Sequence, residues 1–534
     1  MTRLDFLKRA ELAVAVVLTA TALFLLVIRA THAGALWRDE CAVVNLARMP
    51  NLADIARNFQ HEAFPVPFPI LIRAYTGVFG SSDTALRSFG ITAGVALLGA
   101  LWFSAHLTAR GPPLVSLALL GLNTTFLFWG TTVRGYGLGS ALIVLAFGLF
   151  ASVMLNPSRT RIIAAAVISI AAVQCLVHNL ALMFALVASA AIVCLIRRDL
   201  RQLIIFLSIL ALCLISFIPY LNAYSNSWSQ VVEFPVTFRL LWNQFNFALG
   251  NPNPALAWLW HIVLIALLAT SIWQLHRLRF NKPAPDWNLL LFGSLSAMVA
   301  PIAYYEFLHT LSYLTRSWYF LALLSVLAVA IDCLAAVLST VKWIRIGRLG
   351  FAAIALIILP INAWPKIVER QTNIDIVAKK LAEAAKPNDL IVVAPWLYGI
   401  SFSRYYHGQT PWMTLPTIND LRIHRYDLFR EKIFSPNPID DVLGKVHQTL
   451  AAGNRVWFVG GIKLPPRGRP PLSPPHSPNG SVGWDNVDYS ESWLEQLGVF
   501  VRTHSEHGQT VSLPSVSAVN DFENVPLVVV DGWQ

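Results

Sequence analysis

Apolar runs of near-spanning length recur along this chain as far as Pro360, and no other feature limits its fold so sharply. About 20 apolar residues wound into a helix cross a bilayer with every backbone N–H and C=O satisfied internally. Eleven such runs are read, at residues 11–30, 85–107, 112–131, 136–155, 162–178, 180–196, 202–220, 254–275, 287–305, 316–338 and 347–363. The expected fold class is therefore mainly α, a polytopic membrane protein of about eleven transmembrane helices. Composition agrees: only 13% of the 534 residues are charged, against about 25% in soluble domains.

A net charge of +11 invites a nucleic-acid partner, but its placement argues for none. Residues 364–534 hold 16 basic and 17 acidic residues, and residues 1–363 hold the other 24 and 12. The excess lies between apolar runs, where basic residues orient a protein in the bilayer. With the N-terminus in the cytoplasm, the inner loops hold 15 of those 24 basic residues. An odd number of spans then puts residues 364–534 outside the cytoplasm. The first run, behind Lys8 and Arg9, reads as an uncleaved signal anchor. Cys41, Cys175, Cys194, Cys213 and Cys333 show no metal or disulfide spacing and read as small apolar residues. The absence of cysteine from residues 364–534 suits a bacterial inner membrane.

Two domains are expected: residues 1–363 in the membrane, and an extracytoplasmic α/β domain over 364–534. The first outer loop, 31–84, carries an amphipathic stretch (Cys41 to Met49) and a Pro-rich apolar one (Phe64 to Phe79), both suited to helices at the membrane interface. A second loop, 221–254, is rich in aromatic residues that anchor at headgroup level. In the soluble part a helix is expected over Asn373–Ala385 and buried strands over Asp389–Ala394 and Arg455–Val459. Residues 463–480 read as a Pro-rich extended loop.

Chemistry at a membrane surface needs ionisable groups near the headgroups, whereas ion-coupled transport needs them near the midplane. No carboxylate falls near the middle of a run. The sharpest polar feature is Trp37-Arg38-Asp39-Glu40, directly after the first run. Adjacent carboxylates at an apolar boundary can serve as a general base. On residue type alone they read equally well as a solvated turn paired to Arg38.

An N-terminal anchor followed by an Asp-Glu pair resembles the GT-C superfamily of integral-membrane glycosyltransferases, in the branch of the protein O-mannosyltransferases and the bacterial aminoarabinose transferase. The resemblance continues in order through Pro65-Val-Pro-Phe-Pro-Ile-Leu71, Gly80 to Arg87, Arg134-Gly-Tyr136, His178 and Thr315-Arg-Ser-Trp-Tyr319. It covers roughly residues 1–340. The proline motif departs from the family's P-P-L, and there is no D-x-D, which leaves a divalent metal an open question and no cofactor certain.

The resemblance implies transfer of a sugar from a polyprenyl-phosphate-linked donor to a glycan, lipid or protein acceptor at the outer face, with inversion. It assigns Asp39 as general base. Arg134 and Arg316 are to stabilise the leaving phosphate, although either could simply snorkel to headgroups. Glu40, His61, Glu62, Tyr136 and His178 are to orient the sugar. Arg73, Arg87 and Glu306 are weaker candidates. The competing readings are a membrane transporter or lipid flippase with an outer accessory domain, a non-catalytic scaffold, and a polymer ligase.

Overall fold

The computed structural model describes residues 3–59, 62–108, 111–224, 236–277, 285–339, 341–466, 468–474, 486–514 and 517–534. Nine helical segments among them are long and apolar enough to cross a membrane. The chain is an integral membrane protein. The helices α1 (Arg3–His32), α2 (Arg38–Ala47), α3 (Leu52–Asn58), α4 (Pro67–Phe79) and α5 (Asp83–Thr108) come first. Then α6 (Leu114–Ser116), α7 (Thr124–Trp129), α8 (Gly135–Leu155), α9 (Arg159–Cys175), α10 (Asn179–Arg197) and α11 (Leu200–Phe217) follow. The membrane part ends with α12 (Phe238–Gly250), α13 (Ala257–Arg277), α14 (Pro285–Leu311), α15 (Leu321–Leu338) and α16 (Lys342–Ile367).

Two expected spans fall outside those nine. The run at 162–178 forms α9, only 17 residues long. The run at 112–131 is broken. It starts after Pro113, passes through a π turn at Leu117–Gly121, and restarts at α7, where the Asn123 side chain accepts from Phe126 N at 3.2 Å. The same Asn123 amide donates to the carbonyls of Ala248 and Leu249. A broken helix at membrane depth needs such partners for its freed backbone groups.

The bundle is built around α15. Every residue from Leu321 to Leu338 is buried, and α8, α13 and α14 pack against it. Helices at the periphery leave large apolar side chains bare, Ile204 on α11, Ile265 on α13 and Ile361 on α16 among them, as lipid contact requires. At one end of the bundle Asp332 accepts from Val115 N at 2.8 Å, capping α6, and Glu11 lies 3.5 Å from both Arg345 and Arg348. These charges are structural: Asp332 is 16 residues, about 24 Å of helical rise, from Arg316 at the other end of the same segment.

At that other end sits a five-stranded sheet of order β2-β1-β3-β5-β4. Its strands are β1 (Leu390–Val393), β2 (Trp412–Thr414), β3 (Val456–Val459), β4 (His507–Thr510) and β5 (Leu527–Asp531). β1 runs parallel to β2 and β3; β5 is antiparallel to β3 and β4. The helices α17 (Ile374–Ala384), α18 (Tyr398–Tyr405), α19 (Tyr426–Phe434), α20 (Asp440–Ala451) and α21 (Asn486–His504) complete this part. The expected helix and both expected strands are present. Of the Pro-rich segment 463–480, residues 467 and 475–480 lie outside the described residues, as do residues 225–235 of the second aromatic-rich loop.

β1 and β3 are buried on both faces, which is why they read as unbroken apolar runs. Ile391, Val393 and Trp457 face a core made with Ile374 and Leu381. Leu390, Val392 and Phe458 face another core that runs on without a break into Cys41, Val44, Phe64 and Val133. The sheet therefore shares its core with the first loop of the membrane part. α18 pins the join: Arg404 and Tyr405 both reach Asp83, at 2.9 and 2.8 Å, and Leu36 N donates to the Tyr405 hydroxyl at 2.7 Å. This corrects one expectation about the loop 31–84. α4 exposes Ile70, Leu71, Val78 and Phe79. But α2 is buried through Ala47, because the sheet part covers it.

Candidate active site

α2 starts where the first span has ended, and Asp39 and Glu40 occupy its first turn. Carboxylates there stabilise unpaired N–H groups. Successive helical residues point about 100° apart, so the two acids face different surroundings. Glu40 is fully buried. Its Oε1 accepts from Arg87 Nη1 at 2.8 Å and from Val133 N at 2.9 Å. Asp39 faces a cleft and keeps 22% side-chain exposure.

Asp39 Oδ1 lies 3.7 Å from Arg38 Nε and 3.4 Å from His424 Nε2. Nothing among the described residues hydrogen-bonds to its Oδ2. His424 comes from the loop between β2 and α19, almost four hundred residues along the chain. Its Nδ1 lies 3.6 Å from Glu62 Oε1, and Glu62 Oε2 accepts from Arg134 Nη1 at 2.5 Å. Arg134 also donates to the Asp39 carbonyl at 3.2 Å. Arg38, Asp39, His424, Glu62 and Arg134 thus form a chain of alternating charge. Glu523, buried in the C-terminal segment, secures one end. It accepts from Arg38 N at 3.0 Å and from Ser401 Oγ at 2.7 Å.

This arrangement fixes protonation. Burial opposes the Asp39 charge, but His424, Arg134 and Arg38 outweigh it and hold the carboxyl well below the usual carboxylate range. Burial likewise opposes the His424 charge, yet Asp39 and Glu62 raise its pKa above that of an ordinary imidazole. Asp39 is ionised, and His424 is its counter-ion.

The stability consequence has a definite sign. His424 contributes fully below the unfolded imidazole pKa, and the contribution is lost as pH rises through the raised folded value. Asp39 contributes above the unfolded carboxylate pKa and loses its contribution only as pH falls through its depressed value. Thermal unfolding from mildly acid to alkaline pH should therefore show a decline in wild type that His424→Asn lacks. Parallel declines in both proteins would remove His424 from this role.

The cleft has Arg38, Asp39, Arg316, Tyr319, His424 and Tyr426 among its walls. Arg316 caps the 3-10 turn Ser317–Phe320 and leans over the Phe522 ring, 5.3 Å from its centre. No carboxylate lies within 4.0 Å of it among the described residues. Arg134 and Arg87 differ: each is buried and committed to a carboxylate.

The remaining sequence candidates separate in the same way. Tyr136 is buried, its ring centre 6.1 Å from that of Tyr319. His178 is buried between Tyr304, Phe307 and Tyr319, with neither ring nitrogen partnered among the described residues. Arg73 spends its guanidinium on the carbonyls of Met49 and Pro50. Glu306 is exposed on α14. Neither of these last two joins the charge chain. His61 lies outside the described residues. Sequence reasoning missed His424, in a loop, and Glu523, in the short 3-10 turn Asp521–Glu523; neither has a periodic signal, and both reach the site only through the fold.

The donor set among the described residues does not fit a divalent metal. Asp39 is the carboxylate they place in the lining of the cleft, and Arg38 and His424 already face it. Among the described residues no three His, Cys, Asp or Glu side chains converge as ligands.

No family model matches the sequence, and no curated protein is significantly similar to it. Solved structures do match. ArnT from Cupriavidus metallidurans, an aminoarabinose transferase, is similar at TM-score 0.51 and 12% identity, over 83% of this chain and 92% of that one. The values are the same for its apo state and for the state bound to undecaprenyl phosphate. The Archaeoglobus fulgidus oligosaccharyltransferase, tethered to an acceptor peptide, follows at TM-score 0.46 and 12% identity, over 84% of this chain and 68% of that one. At this identity the likeness to ArnT establishes the fold: a GT-C-like polytopic bundle with a C-terminal sheet.

Proposed function

We propose that this chain is a glycosyltransferase that moves a sugar from a polyprenyl-phosphate-linked donor to an acceptor, inverting the anomeric centre, with Asp39 as general base. One observation carries the reading. An ionised carboxylate with an uncommitted oxygen shares a cleft with an arginine that has no carboxylate partner among the described residues. The acceptor heteroatom attacks the anomeric carbon, and the bond from that carbon to the phosphate oxygen breaks. The electron pair leaves on the phosphate, and Asp39 Oδ2 takes the acceptor's proton. Arg316 neutralises the departing lipid phosphate. A guanidinium suits that task because it cannot deprotonate and offers paired donors.

Two further lines support the reading. The fold is shared with ArnT, whose structure holds undecaprenyl phosphate. Among the described residues, no carboxylate falls near the middle of a span to serve a transport path. The acceptor is a glycan, a lipid or a protein. Residues 1–363 form the transferase domain in a bacterial inner membrane, with the N-terminus cytoplasmic. Residues 364–534 lie outside and supply His424.

The test is purified protein with radiolabelled polyprenyl-phosphate sugars, reading release of lipid phosphate and label transfer. Turnover is the expected result; a well-folded protein inert toward every donor sinks the proposal. Arg316→Ala should weaken binding of sugar-free polyprenyl phosphate by about 10- to 100-fold, the worth of a charge-assisted contact. Arg316→Lys should restore part of it. Unchanged binding in Arg316→Ala would move the phosphate elsewhere.

A further inference from the structure

α2 carries Asp39 in its first turn, and at its other end a separate cavity of about 680 Å³ opens at the seam between the membrane part and the sheet part. Asn45 and Arg48 at the end of α2, Trp412 on β2, and Asn419, Asp420 and Arg422 on the loop after β2 are among its walls. The size falls within the range of small-molecule sites, about 300–1,000 Å³, and a seam between packed parts is where such sites occur. The walls are held in place. Asn45 Nδ2 donates to the Arg422 carbonyl at 2.9 Å. Arg422 grips Asp420 through Nε and Nη2, both at 2.9 Å, and Asp420 also accepts from Arg425 Nη1 at 2.9 Å. Trp412 lies on an edge strand, and its ring meets Phe402 edge-on, 5.1 Å between centres. These bonds leave over a set of donors and acceptors: Asn45 Oδ1, the Asn419 amide, Arg422 Nη1 and Trp412 Nε1, none hydrogen-bonded among the described residues. Arg48 has no carboxylate within 4.0 Å among them either.

We infer that this cavity binds an acidic glycan, the acceptor of the transfer reaction, through sugar units away from its reacting end. The inference rests on the transferase reading above and narrows its acceptor. Three features specify the ligand. An indole wall with a free N–H suits a pyranose, which packs its C–H surface on a ring and turns its hydroxyls to polar neighbours. The amides and guanidinium around it supply donors and acceptors together, as a ligand with hydroxyls on every side requires. An acyl or isoprenoid chain is a poor occupant, because it would strand those groups. Charge selects the kind of sugar. Arg48 and Arg422 line the cavity with one acid, Asp420, which Arg425 shares. The surplus is positive, so an anionic sugar is matched and an amino sugar opposed. Position makes the glycan an acceptor. Asn45 is six residues beyond Asp39 on α2, about 9 Å of helical rise. The loop that brings Asn419 and Arg422 to the cavity brings His424 to Asp39. One helix and one loop wall both sites, so a glycan bound in the cavity has only a short way to run to Asp39.

The experiment screens full-length protein in nanodiscs on an array of acidic, neutral and amino-sugar oligosaccharides, then titrates the best acidic ligand against wild type and variants. Wild type should prefer acidic members to neutral ones of equal length by about tenfold or more. Arg48→Gln should weaken that ligand by about 10- to 100-fold, the worth of a charge-assisted contact, and Arg48→Lys should recover part of it. Arg48 is exposed and pairs with no carboxylate among the described residues, so its replacement leaves the fold intact. Trp412→Ala should cost about tenfold, while Trp412→Phe, which keeps a ring against Phe402, should cost no more than about threefold. Binding of no array member, preference for neutral or amino sugars, or Arg48→Gln protein that binds as tightly as wild type overturns the inference. So does displacement of the glycan by inorganic phosphate at equal concentration, which would make the cavity a simple anion site. Donor turnover is read on the same samples. Glycan binding without turnover fails the transferase reading and upholds the cavity as a glycan site. Turnover without glycan binding overturns the inference and leaves that reading standing.

Discussion

Asp39→Asn should fold, bind donor, and lose sugar transfer by about 10²–10⁴-fold, the usual contribution of a general base. The two side chains have the same shape, so Oδ1 stays between Arg38 and His424. What disappears is the ability of the second oxygen to accept a proton. The depressed proton affinity of Asp39 does not weaken this expectation. A weak base is of little use early in a reaction, when the acceptor is a poor acid. Late in the displacement, with the bond to the anomeric carbon largely formed, the acceptor proton is acidic and a carboxylate suffices. The low value also keeps Asp39 ionised across the physiological range, so no fraction of the protein idles in the wrong state. Asp39→Glu should be nearly as damaging, because one added methylene moves the basic oxygen by about 1 Å, enough to cost about 100-fold. Donor turnover and donor binding are to be measured side by side. Asp39→Asn protein that keeps more than a tenth of wild-type transfer would remove Asp39 from the base role. A loss confined to donor binding would make it a binding residue instead.

The membrane bundle was legible in the sequence because burial in lipid demands a signal that composition cannot hide. Breaks in that signal were harder to read. The run at 112–131 is as apolar as its neighbours, and only Asn123 marks where the chain stops and restarts. The buried strands β1 and β3 were readable for the same reason as the spans. Asp39 could be singled out because two acids beside an apolar boundary are unusual, and because an order of motifs around them resembled a family.

Partnership was not legible. From the sequence, Glu40 and Glu62 are two more acids near the first outer loop, and Arg87 and Arg134 two more cations at helix ends. The fold joins them in crossed pairs, Glu40 with Arg87 and Glu62 with Arg134. That leaves Arg316 as the cation at the cleft without a carboxylate partner among the described residues. His424 carried no local signal whatever. It stands between Ile423 and Arg425 in a loop, and acquires a role only because α18 and a shared core press that loop onto α2. Pairings across several hundred residues are products of tertiary packing, and residue type and spacing do not encode them one by one.

The Glu40–Arg87 pair yields the largest stability effect. Glu40 was expected to orient the sugar and Arg87 to meet the phosphate, yet both are buried and spend their polar atoms on protein. Arg87 Nη1 donates to Glu40 Oε1, and Arg87 Nη2 donates to the Ala35 carbonyl at 2.7 Å. Glu40 Oε1 also takes Val133 N, which ties the start of α2 to the segment ahead of α8. Glu40→Leu strips the partner from a buried guanidinium and a buried N–H together, and should cost about 3–5 kcal/mol. Glu40→Gln keeps an oxygen in place and should cost about 1–3 kcal/mol. The double variant Glu40→Leu with Arg87→Leu removes the stranded charge, and should recover a large part of the single loss. Equilibrium unfolding in mixed micelles reads all three. The comparison also separates structure from chemistry. If Glu40 instead touched substrate, Glu40→Gln would impair transfer at unchanged stability, and the double variant would regain nothing.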